Sequence, residues 1–127
     1  MNALAGKIQD SELEVMRVLW QAGRAVPLIE IRRVLSEKRG WEDSTVKTLL
    51  RRLQAKGAVR LEGRGMYDAV VTQQEYDEWS TQAFLDKIFA GSAQKLMASL
   101  VSGGKLSEQD VAELAAMLDN AKGKERP

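Results

Sequence analysis

The run Trp41-Glu-Asp-Ser-Thr-Val-Lys-Thr-Leu-Leu-Arg-Arg-Leu-Gln-Ala-Lys-Gly57 limits what this chain can fold into more than any other segment. Asp43 or Ser44 suits the N-cap of a helix there, and Gly57 suits its end. Val46, Leu49, Leu50 and Leu53 recur three and four apart, which predicts one buried stripe. Ser44, Thr45, Lys47, Thr48, Arg51 and Arg52 fall mostly off that stripe. Small hydroxyls at a helix start, followed by long cations, form the layout of a recognition helix. The hydroxyls and backbone N–H groups meet phosphate while the cations reach base edges and backbone. An ordinary amphipathic helix with a solvated basic face would carry the same residues. The surrounding sequence has to decide.

Charge distribution favours the first reading. The net charge is only +1, yet between Ser44 and Gly65 six cations (Lys47, Arg51, Arg52, Lys56, Arg60 and Arg64) face Glu62 alone. From Gln73 to Asp86 there are Glu75, Asp77, Glu78 and Asp86 and no cation. A basic half joined to an acidic half suggests one face built for a polyanion.

The flanking segments supply a scaffold. Residues Met1 to Gln9 read as frayed. Ser11-Glu-Leu-Glu14 is a capping-box pattern, with Leu13, Met16, Leu19 and Trp20 at helical spacing behind it. A first helix is expected from about Glu12 to Gln21. Pro27 opens a second that runs through Ile31, Val34 and Leu35 to about Arg39. Beyond Gly57, the runs 58–62 and 66–71 read as strands joined by a Gly63-Arg64-Gly65 turn. Three helices and a hairpin are the order of a winged helix-turn-helix, with the third helix in the major groove and the wing over the neighbouring backbone. Arg64 then sits at the wing tip, within reach of a phosphate or the minor groove.

The remainder is helical. The segment from Gln73 to about Phe89 carries Tyr76, Trp79, Phe84, Ile88 and Phe89; Ser92 to Val101 carries Leu96, Met97 and Leu100. After Gly103-Gly104, Ser107 caps a last helix with Asp110 three positions on, followed by Val111, Leu114 and Leu118. So short a region cannot bury that many apolar residues alone. Either it packs on the winged helix of its own chain, or two chains pair through it. The second is the expectation, with Tyr76, Trp79, Phe84, Ile88, Phe89, Leu96, Leu100, Leu114 and Leu118 at the interface. A two-fold reader gains paired half-sites that way. The fold class is therefore mainly α with a small β-hairpin. Its parts are a winged-helix domain over 1–72, a helical dimerisation domain over 73–121, and a disordered tail over 122–127.

Composition excludes other classes. With no cysteine and no histidine, the chain lacks thiol chemistry and the usual metal ligand and general base. It has no Gly-rich phosphate loop, nucleophile elbow or acidic metal cluster, so no catalytic residue, metal or cofactor is expected. Glu75 and Asp77 read as solubilising charge rather than an acid–base pair. No apolar run approaches membrane-spanning length and the N-terminus lacks a secretory pattern, so a cytoplasmic chain without membrane insertion is expected.

At this point the residues resemble a known family. Glu14-Val-Met16 with Leu19-Trp20, and Thr45-Val-Lys-Thr48-Leu with Arg52-Leu53 and Lys56-Gly57, are similar to motifs of the penicillinase-repressor family, the BlaI/MecI/CopY group of bacterial transcription repressors. The likeness reaches, more weakly, to about Leu118. It implies a homodimer with N-terminal winged helices that represses transcription at a palindromic, double-stranded operator, antibiotic-resistance genes being the family's best-known targets. Thr45, Lys47, Thr48 and Arg52 carry over as operator contacts. Ser44, Arg51 and Arg64 join them on charge and geometry. Lys47 is the first candidate for base reading, because Lys can donate to guanine O6 and N7. Arg52 could hold a phosphate or pair with an acidic residue of its own domain.

The family also implies how repression ends. Its copper-responsive branch carries clustered cysteines, which are absent here. Its β-lactam branch is relieved when a membrane sensor-protease triggers cleavage of the repressor. That bond aligns with Ser99-Leu100, where the best-known members have Asn-Phe. Leu100 taken alone is simply a core residue of a dimer helix, and a cut there would destroy dimerisation as well. The run Met66-Tyr-Asp-Ala-Val-Val71 after the wing turn also departs from the more aromatic, proline-containing family pattern, so a different operator preference is expected. No small-molecule substrate is implied. The rival class is a winged-helix protein–protein module without a sequence-specific DNA target.

Overall fold

The computed structural model describes residues 2–125, which form two compact units that divide between Ala83 and Phe84. In the first, helix α1 (Asp10–Ala22) starts earlier than the sequence predicts, and its cap is different. Glu12 at the third helical position accepts from the Gln9 N–H at 2.9 Å, so Gln9 and Glu12 do the work assigned to Ser11 and Glu14. Glu14 is used laterally, 2.7 Å from Arg39 and 3.7 Å from Arg17.

Strand β1 (Val26–Pro27) precedes helix α2 (Leu28–Arg39), with Pro27 as N-cap. Helix α3 (Asp43–Lys56) follows, and its N-cap is Glu42, not Asp43 or Ser44. The Glu42 carbonyl accepts from Thr45 and Val46, and no side chain caps the helix. Asp43 instead lies in the first turn, where the helix dipole favours a carboxylate, 4.0 Å from Arg32 of α2. Gly57 ends α3 at φ 82°, a left-handed conformation that glycine adopts without steric cost.

Strands β2 (Val59–Leu61) and β3 (Met66–Ala69) form the hairpin, and the sheet has the order β1-β3-β2, antiparallel throughout. Val26 faces Tyr67 and Val59 faces Ala69. The two-residue strand β1 is an addition to the hairpin that the sequence predicts. Val15, Met16 and Leu19 of α1, Ile31 and Leu35 of α2, the α3 stripe, and Val59, Tyr67 and Val71 make one core.

The N-terminus is built into that core rather than frayed. Residues Ala3–Lys7 form a 3-10 helix, with Ala5 and Ile8 buried. Helix α4 (Gln73–Phe89) begins with a reciprocal cap: the Glu75 N–H donates to the Thr72 hydroxyl, and the Thr72 N–H to the Glu75 carboxylate. Tyr76 and Trp79 belong to the first unit and pack, partly buried, against its core. Tyr76 stacks obliquely on Trp20, centroids 5.6 Å apart, and Trp20 donates its indole N–H to the Val71 carbonyl at 2.8 Å. An aromatic side chain that starts a helix just after β3 meets the uncovered flank of α1 before any partner.

The second unit holds the end of α4, helix α5 (Ala93–Ser102) and helix α6 (Glu108–Glu125). Ser92 caps α5, and Ser107 with Asp110 caps α6 reciprocally. None of the described residues of this unit is buried. Phe84, Ile88, Met97, Val101, Val111, Met117 and Leu118 are all exposed. The last helix runs on through 122–125, so that part of the expected tail is helical; residues 126–127 lie outside the described residues.

Candidate nucleic-acid interface

Helix α3 keeps its two faces apart. Val46, Leu49, Leu50 and Leu53 are at most 4% exposed, which fixes the helix against α1 and α2. Burying each leucine contributes roughly 1.5–3 kcal/mol, so rotating the helix about its axis is costly. Ser44, Thr45, Lys47, Thr48, Arg51 and Arg52 are all exposed. At about 100° per residue, Ser44, Thr48 and Arg51 lie along the middle of that face. Lys47 takes one flank, and Thr45 and Arg52 take the other.

Ion pairing sorts the basic residues. Arg60 is held between Glu62 at 3.4 Å and Asp68 at 3.2 Å, beside the hairpin. Lys56 turns inward to the buried Glu12 and the Lys7 carbonyl. Lys47, Arg51, Arg52 and Arg64 make no ion pair with any described residue. Two of the six cations in the basic window are thus ion-paired among the described residues, and four are not.

The wing presents the fourth of them. Gly63 and Gly65, at φ 71° and 63°, flank Arg64 in the turn, and the Glu62 N–H bonds the Met66 carbonyl at 2.8 Å. The Gly65 carbonyl also accepts from Leu28, tying the wing turn to the start of α2. Arg64 is exposed at the tip.

Two residues beside α3 are barely legible in the sequence. Ser11 of α1 and Trp41, just before the helix, line a cavity of ≈ 450 Å³ together with Ser44, Thr45, Thr48, Leu49 and Arg52. A lone tryptophan ahead of a helix cap was the only available signal. Among the described residues no group of acidic side chains is placed to hold a metal ion, and no helix is long and apolar enough to cross a membrane. Glu75, the weak candidate for acid–base work, is a helix cap whose pKa lies below its usual value. The Thr72 backbone N–H contributes most to that shift, followed by the Asn2 side chain.

Known proteins are similar to this chain. A model of the penicillinase repressor family matches residues 8–120. The chain is 28% identical over 123 residues to the penicillinase repressor of Bacillus licheniformis, covering 94% of this chain and 95% of that one. It is 35% identical over 115 residues to a 16.5 kDa protein in the ptsI 3' region of Latilactobacillus sakei, covering 88% and 78%. The solution structure of the DNA-binding domain of the repressor BlaI matches with a TM-score of 0.50 at 34% identity, covering 60% of this chain and 94% of that one.

Proposed function

The chain belongs to the penicillinase repressor family, whose members are transcription repressors and not enzymes, and from that premise we propose that it is a dimeric, sequence-specific repressor acting on a palindromic operator. The observation that carries this reading is the exposed face of α3, where Lys47, Arg51 and Arg52 stand without ion pairs among three hydroxyls. A face of donors with no internal partner suits a polyanion. Lys47 donates to a guanine edge, and Arg64 holds a phosphate from the wing.

Dimerisation is supported by the second unit. Three helices in which no described residue is fully buried, with Ile88, Val101, Met117 and Leu118 more than half exposed, need a covering surface. A second copy supplies it with the matching set of apolar residues and brings two α3 helices to two half-sites. Release by cleavage of the Ser99–Leu100 bond belongs to the same reading, with a membrane sensor-protease as the trigger. The bond lies in the last turn of α5, Ser99 is exposed, and a cut there removes α6 from the DNA-binding unit. As a regulator of DNA, the protein works in the cytoplasm.

The test is a gel shift with the DNA upstream of its own gene, in moderate salt and excess nonspecific competitor. A discrete band that Lys47→Ala abolishes is the expected result. A band that competitor removes entirely overturns sequence-specific repression and favours a protein partner.

A further inference from the structure

We propose that the cavity between Ser11, Trp41 and the flank of α3 is a subsite for one sugar-phosphate unit of the DNA backbone, and that Arg52 is a backbone clamp rather than a base reader. This deepens the DNA-binding reading above and rests on it. The cavity holds six polar groups able to donate: the hydroxyls of Ser11, Ser44, Thr45 and Thr48, the Trp41 indole N–H and the Arg52 guanidinium. None of the six has a side-chain hydrogen-bond or ion-pair partner among the described residues, whereas the comparable N–H of Trp20 is spent on Val71. No carboxylate lines the cavity. Donors without acceptors define an anion site, and guanidinium is the side chain best suited to bracket a phosphate.

The rest of the lining narrows the anion to a nucleotide unit. Trp41 and Leu49 add an aromatic ring and an aliphatic side chain, which a bare inorganic anion would leave uncovered. A deoxyribose fits against them while its phosphate meets the donors. Thr45, Thr48 and Arg52 belong to the exposed α3 face as well, so a strand lying along that face enters the cavity from its open side. Ser11 anchors the strand from α1, which sets the register of α3 in the groove; backbone contacts fix position in this way without reading sequence.

The test uses the full chain, a fluorescently labelled duplex from its own upstream region, an unrelated duplex, and a salt series. Arg52→Gln keeps the length of an exposed, unpaired side chain, so the fold is retained. It should weaken binding to both duplexes by the same factor and reduce the slope of log affinity against log salt by about 0.9 per protomer. An unchanged slope, or a loss confined to one sequence, overturns the clamp. Trp41 gives an independent readout: duplex should change tryptophan emission in the wild type but not in Trp41→Phe. An emission change that persists in Trp41→Phe overturns the subsite. Millimolar inorganic phosphate alone should leave the emission unchanged, and a saturable response to it makes this a free-anion site instead. If the wild type binds neither duplex, both readings fall; if it binds and Arg52→Gln keeps its slope, only this one does.

Discussion

Lys56, the last residue of helix α3, reaches back to the fully buried carboxylate of Glu12 at 2.5 Å and bonds the Lys7 carbonyl at 2.9 Å. One cation thus fastens the end of α3 to α1 and to the N-terminal segment. The two partners are not equivalent, because Glu12 is entirely buried while the Lys56 side chain is 25% exposed. Lys56→Met leaves a buried carboxylate without its counter-charge and should cost about 3 kcal/mol. Glu12→Gln keeps a capping acceptor and lets Lys56 turn to water, so it should cost clearly less. Denaturant melts of the two variants decide the matter, and equal losses would show that the pair acts as a simple symmetric contact.

Arg60 and Arg51 are both exposed cations, but only Arg60 is already committed, to Glu62 and Asp68. Arg60→Gln should therefore leave duplex affinity nearly unchanged, while Arg51→Gln weakens it and flattens its salt dependence. Lys47→Ala should lose roughly 1–3 kcal/mol of specific binding and relax preference at one base pair. Competition binding against single-base operator variants reads that preference. Uniform weakening across all variants would move Lys47 to the phosphate contacts.

These distinctions mark where the sequence was legible. The α3 stripe could be read because Val46, Leu49, Leu50 and Leu53 repeat with the helix period, and the exposed hydroxyls and cations follow from it. The cap could not, because Glu42 caps with its carbonyl, which leaves no side-chain signature. Strand β1 exists only through its pairing with Met66 and Tyr67, and two residues carry no period of their own. Tyr76 and Trp79 read as interface residues because an aromatic on a helix looks the same whichever surface covers it. Only the nearness of Trp20 and Gly6 decides. Which of the six cations are free was also beyond the sequence, since Lys56 and Glu12 stand 44 residues apart.

Gly6 is where the N-terminal segment meets α4. A Cβ there would stand 2.4 Å from Cζ2 of Trp79, part of a rigid ring rather than the end of a flexible chain. Gly6→Ala should push Trp79 off the core and destabilise the first unit by about 1–3 kcal/mol. A lower melting temperature with a red-shifted tryptophan emission is expected. Unchanged emission would mean that the N-terminal segment, not the ring, gives way.

Glu75 ties the same segment to α4, accepting from the Thr72 N–H and from Asn2 at 2.9 Å each. Both bonds favour the carboxylate, the Thr72 backbone bond contributing most, and hold its pKa below the usual 4.5. A folded-state pKa below the unfolded one stabilises the fold above about pH 4.5 and stops doing so as pH falls through the depressed value. Glu75→Gln should therefore melt below the wild type at pH 7, and the gap should close on acidification under pH 4.5. A gap of constant size from neutral to acid would remove the ionised carboxylate as its cause.

Ile88 and Leu118 are 55% and 62% exposed within the single chain, so a charge at either position costs the isolated protomer little. Between two chains the same charge would be buried without a partner, at a penalty of several kcal/mol. Ile88→Lys and Leu118→Lys should each shift the sedimenting species from dimer to monomer, with melting of the first unit unchanged. Affinity for a two-half-site operator should fall far more than affinity for a single half-site, because only the former draws on both α3 helices. Dimers that survive both substitutions would place the contact between chains elsewhere, while monomers that retain full operator affinity would show that pairing through this unit is not what delivers two recognition helices to the DNA.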